Sequence, residues 1–90
     1  MNHPKKIERY NGSEKELSRD IVNLDYDALV KHFENLKNDF AKDAIHDQEL
    51  NHAQVAQHLA NISQALKELL ERDMQPMADL CRTYNEKGIR

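Results

Sequence analysis

The stretch IHDQELNHAQVAQH, residues 45–58, holds three of the chain's five histidines together with Asp47 and Glu49. Imidazole and carboxylate are common zinc ligands, and imidazole is the side chain that titrates nearest neutrality, so the stretch raises two possibilities: a metal site and a pH switch. The spacing argues against both. His52 and His58 are six apart, whereas two ligands on one helix face sit three or four apart. His46 and His52 fall on either side of an expected turn. If two antiparallel helices place residues summing to about 95 opposite each other, Asp39 faces His58 and His32 lies about a turn away. His32, Asp39 and His58 are therefore the metal- or pH-responsive candidates, assembled from pairing geometry alone. The preferred reading is a solvated polar flank, with no metal and no other cofactor.

Nucleophilic chemistry has less to work with. Ser13 fits a helix cap, and neither Ser18 nor Ser63 lies in a nucleophile-elbow context. Cys81 shares an apolar stripe with Met77 and reads as an inert, buried thiol. The only glycines are Gly12 and Gly88, so no glycine-rich phosphate loop can form. Carboxylates recur at helical spacings suited to ion pairs such as Glu68–Arg72. No catalytic residue is assigned, and the chain is expected not to be an enzyme.

The elements that carry these residues are helical. Ninety residues with 39% hydrophobic and 32% charged side chains, two prolines and no tryptophan describe a small helical domain rather than a turn-rich β fold. A net charge of −3 gives no general attraction to nucleic acid or anionic lipid. One cysteine cannot form an internal disulfide, and no apolar run is long enough to span a membrane. With no apolar h-region near Met1 either, a cytoplasmic location is expected.

Residues 1–12 carry Lys5, Lys6 and Arg9 between Pro4 and Gly12 and read as a flexible, basic arm. Residues 13–86 read as a single helical domain, and 87–90 as a tail. Ser13 and Glu16 form a capping box that opens a short helix over 14–22. Asp25 caps a long helix in which Tyr26, Leu29, Phe33, Leu36 and Phe40 alternate spacings of three and four. After a connection over Ile45–Leu50, Asn51 and Gln54 suggest the cap of a second long helix bearing Val55, Leu59, Ile62, Leu66 and Leu69. Beyond Leu69 the stripe slips by one position, to Leu70, Met74, Met77 and Cys81. Pro76 within it predicts a bend or a fresh start near Gln75.

The fold expected is all-α: an antiparallel helical hairpin with short flanking helices, forming a small three- or four-helix bundle. In heptad terms Tyr26, Phe33, Phe40, Leu59 and Leu66 take position a, and Leu29, Leu36, Val55, Ile62 and Leu69 take position d. Position e holds Val30, Lys37, Ala44, Ala56, Ser63 and Leu70, mostly small or apolar. Position g holds His32, Asp39, His58, Ala65 and Arg72. A two-helix seam built on a and d leaves the e flank uncovered, so a terminal helix or a second copy must pack there. A homodimer is favoured, with Val30, Ala56, Ser63, Leu70, Met74 and Met77 as interface residues. The functional expectation is a non-enzymatic protein–protein interaction module, a regulator or adaptor without membrane or small-molecule partner. The alternatives are a nucleic-acid-associated regulator using the basic arm, which the overall charge disfavours, and a histidine-based metal or pH sensor.

Overall fold

The computed structural model describes residues 3–86, and those residues form helices without strands. Helix α1 spans Glu14–Val22, α2 Tyr26–Glu49, α3 Ala53–Leu69 and α4 Gln75–Glu86, with a π-helical turn over Leu70–Met74 between the last two. Two of the starts follow the capping chemistry in the sequence. The Ser13 hydroxyl accepts from the Glu16 N–H at 3.1 Å, and the Glu16 carboxylate reaches back to the Ser13 N–H. Asp25 accepts from the Ala28 N–H at 2.9 Å.

The turn between the long helices is shorter than expected. No breaker interrupts residues 45–49, so α2 runs through them to Glu49, and Leu50–His52 alone reverse the chain. Asn51 does not cap α3. It takes the left-handed conformation, φ 63°, just past the end of α2. Its N–H bonds the Gln48 carbonyl at 3.1 Å, and the His52 N–H bonds the Asp47 carbonyl at 2.8 Å. These two bonds make a Schellman motif, the usual way of satisfying the last carbonyls of a helix, with asparagine where glycine is most often found. Asparagine is among the few non-glycine residues that tolerate this conformation.

From Ala53 to Glu86 the backbone is helical without a break. Thirty-four residues at about 1.5 Å each span about 50 Å, close to the longest dimension of the molecule, 53 × 31 × 14 Å. So α4 prolongs the second arm of the hairpin instead of folding back over the e flank. The π turn sits directly before Pro76, where the Gln75 N–H reaches the Leu70 carbonyl, five residues back. Proline lacks an N–H, and a widened turn absorbs that missing rung without breaking the helix. The extra residue also resets the phase. Leu66, Leu70, Met74 and Ala78, each four apart, stay on one side, which accounts for the slip of the apolar stripe beyond Leu69.

Leu29, Val30, Leu70, Met74 and Ala78 form the core, with Ile21, Tyr26, Phe33 and Met77 packed against it. It lies where the start of α2 meets the π turn and α4, with α1 contributing only Ile21 and no fully buried residue. The expected tail, 87–90, lies outside the described residues.

Truncating Leu70 to alanine should cost about 2–5 kcal/mol of unfolding free energy, whereas Leu80→Ala, at an exposed position, should be nearly silent in chemical denaturation. A β-branched residue at a left-handed position costs about 1–2 kcal/mol, so Asn51→Val should lower stability by that amount while Asn51→Gly keeps it.

Candidate interaction surface

The short turn fixes how the arms face each other. The Ser63 hydroxyl donates to the Lys37 carbonyl at 2.9 Å, so residues summing to 100, not 95, lie opposite. Val30 and Leu70 share the core cluster, and Ala44 and Ala56 line the same shallow groove near the turn. Each of these pairs sums to 100, and all six residues occupy position e. The e flanks therefore meet each other and form the seam. Small residues at Ala44, Ala56 and Ser63 let the two backbones approach closely enough for a hydroxyl on one helix to bond a carbonyl of the other.

This corrects the expectation that the e flank stands uncovered. Val30 and Leu70 are each 6% exposed, and Ala56 and Met74 are buried as well. Ser63 and Met77 are half-buried. Of the six residues expected at a contact between copies, four are thus buried within the chain and two are partly covered by it. Val55, Ile62 and Leu69, expected inside the seam at position d, are instead 53%, 42% and 39% exposed. Rotation of α3 toward its small residues has turned the d row outward. In an antiparallel pair whose e positions face each other, the d positions of both arms lie on one side of the layer. That side carries Leu36 and Phe40 from α2 and Val55, Leu59, Ile62, Leu66 and Leu69 from α3, every one half-buried or exposed.

The same shift in register separates the histidine candidates. Asp39 lies level with residue 61 rather than His58, and among the described residues no group of three His, Cys, Asp or Glu is placed to hold a metal ion. His32, Asp39 and His58 border the apolar side instead. His52 answers the question posed by the histidine-rich stretch: its Nδ1 lies 3.0 Å from the Asp47 carboxylate. The residues joined by a backbone bond in the Schellman motif are thus also joined by their side chains. The hydrophobic contact that usually accompanies the motif is replaced by a polar one.

The serine hydroxyls are engaged locally. Ser13 caps α1, Ser18 donates to the Glu14 carbonyl and Ser63 bridges the arms. Cys81 is half-buried.

Two polar contacts, one closing the open end of the hairpin and one holding the arm to α1, have no counterpart in the sequence pattern. Arg82 of α4 donates to Asp27 at the start of α2 and, at 3.1 Å, to Asp79 on its own helix. The bond to Asp27, then that to Asp79, holds the guanidinium pKa above its ordinary value. Tyr10 of the arm donates its hydroxyl to Asp20 of α1 at 2.5 Å, with its ring lying against Gly12, where a Cβ would come within 2.7 Å of the ring. Partners 55 and 10 residues apart leave no periodic signal in a sequence.

No family model, curated protein or solved structure matches this chain.

The hydrogen bond to Asp20 pushes the Tyr10 pKa up to about 12. A folded-state value above the unfolded one means the contact stabilises fully below about pH 10 and is lost as pH rises toward 12. An ultraviolet titration should show one tyrosine ionising near pH 12, and Asp20→Ala should remove that late step.

Proposed function

We propose that this chain is a small non-enzymatic interaction module, a regulator or adaptor that acts in the cytoplasm by covering apolar surface on another protein chain and that associates with itself. The observation that carries this reading is the apolar side of the hairpin layer, centred on the Val55–Ile62–Leu69 row. Seven-residue spacing along α3 sets these side chains about 10 Å apart, a continuous ridge of roughly 20 Å. Scattered apolar residues on a surface need no explanation, but a ridge flanked by Leu36, Phe40, Leu59 and Leu66 is the kind of contiguous patch that marks an interface.

The size of the surface supports the same reading. A compact folded chain of 10.5 kDa exposes about 5,400 Å², while this one exposes 7653 Å². Its radius of gyration is 16.3 Å, against about 12 Å for a compact domain of this length. Part of the difference belongs to the arm and to the elongated shape. The rest is of the order that an association interface removes, about 800 Å² per partner for a standard one and more for an obligate dimer. The single-chain core is correspondingly small, with six buried apolar residues among those described.

If folding is linked to association, the melting temperature should rise with protein concentration, because mass action favours a state in which folded chains bind one another. A melting temperature unchanged over a hundredfold range of concentration, together with a solution mass of 10.5 kDa throughout, would remove self-association from the proposal.

A further inference from the structure

The geometry points to a specific occupant for this apolar side: a second copy of the same chain, related by a two-fold axis that runs parallel to the arms, so that α2 of each copy lies over α3 of the other. This rests on the self-association proposed above and adds which face is used and how it is oriented.

The face comes from burial. The e rows are consumed by the intramolecular seam, so of the hairpin's apolar stripe it is the a and d rows that remain open to a partner. Those rows are shaped for the task. Apart from Lys37, the residues at e from the middle of the seam to the turn are small, and those at a and d are large: Phe40, Leu36, Leu59, Ile62, Leu66 and Leu69. Two such layers stacked face to face give a four-helix arrangement in which each large side chain gains neighbours from the facing pair of helices. The apolar row on α3 is centred on Ile62, level with residue 38 of α2. The two rows of one layer are therefore centred at the same height, and a two-fold axis can superpose both on their counterparts.

The orientation comes from charge. Asp39 borders the face on the α2 side and Asp43, seven residues past Leu36, stands in the same row at its turn end, while His58 and Arg72 border the face on the α3 side, all exposed. A two-fold axis running across the arms would stack α2 on α2 and bring Asp39 within a turn of its own copy. Like charges facing each other at an interface are costly. An axis along the arms instead sets α2 over α3, with Asp39 and Asp43 level with residues 61 and 57 of the facing helix. The two carboxylates then bracket His58, whose imidazole can donate a hydrogen bond to either.

The test uses the full chain. Sedimentation equilibrium of the wild type should give twice 10.5 kDa, and Ile62→Glu should give the single-chain mass with its helical circular dichroism retained, since Ile62 is outside the seam. Ile45→Glu, at an exposed apolar position on the opposite side of α2, should remain dimeric. A wild type that stays monomeric would overturn the proposal and leave the face to some other occupant. A dimer that survives Ile62→Glu would overturn the face while keeping self-association. If Ile62→Glu unfolds, Leu69→Glu, also exposed and in the same row, gives the same reading.

Orientation is read by cross-linking in a Cys81→Ser background. Oxidising a mixture of Leu36→Cys and Ile62→Cys chains should join one to the other, and Ile62→Cys alone should not cross-link. Efficient cross-linking of Ile62→Cys to itself, or none in the mixture, would overturn the axis.

Discussion

The close approach of the two arms along position e governs the molecule. Ala44 against Ala56, Ser63 against the Lys37 backbone and Val30 against Leu70 repeat every seven residues on both helices, each pair at one height. This is possible only in one register, and that register is set by the three-residue turn at Leu50–His52. Had α2 ended near Ala44, the facing residues would have shifted by about five positions, and the e rows would no longer have met. The Schellman motif is therefore more than an end for α2. By holding Asn51 left-handed and tying His52 back to Asp47 through backbone and side chain, it decides which row of each helix is inside.

Much of the fold could be read from the sequence because its signals are local. The Ser13–Glu16 box and the Asp25 cap depend on residues three apart, and the 26–40 stripe depends on helical periodicity. The turn is ambiguous in the sequence for an identifiable reason. Asparagine is favoured both before a helix and just after one, and Asn51 followed three positions on by Gln54 resembles a capping box. Once the turn is displaced, the heptad assignment stays correct while its meaning changes. The e residues singled out as a surface needing cover, Val30, Ala56 and Leu70, are indeed covered, but by each other. The slip of the stripe at Leu70 was visible as a pattern, yet nothing in residue spacing alone distinguishes a π turn from a bend at Pro76. The Tyr10–Asp20 and Arg82–Asp27 contacts were not legible, since a single polar pair between distant residues has no period.

The candidate site followed the register. With the e rows facing each other, the g positions of the two arms point to opposite outer edges, so Asp39 and His58, only three residues apart in height, do not meet within one chain. The two residues nevertheless border the same side of the layer, on opposite arms. The geometry that parts them within a chain is the one that lets them meet across a two-fold axis parallel to the arms.

The distribution of side-chain size is the strongest physical argument about what the layer is for. A hairpin meant to stand alone does best by placing its largest apolar residues between its helices, where each methylene is enclosed from both arms and contributes most. Here the seam from its middle to the turn holds two alanines, a serine and the stem of a lysine, while beyond the buried Leu29 the leucines, isoleucine and phenylalanines at a and d stand half-covered or open. A small-residue seam brings two helices together closely and makes a flat platform of their outer rows. A platform with its bulk on one side gains most of its burial only when a second surface meets it. The division of labour between the rows, small side chains for the approach within the chain and large ones for the face beyond it, suits a chain whose full burial is reached in company.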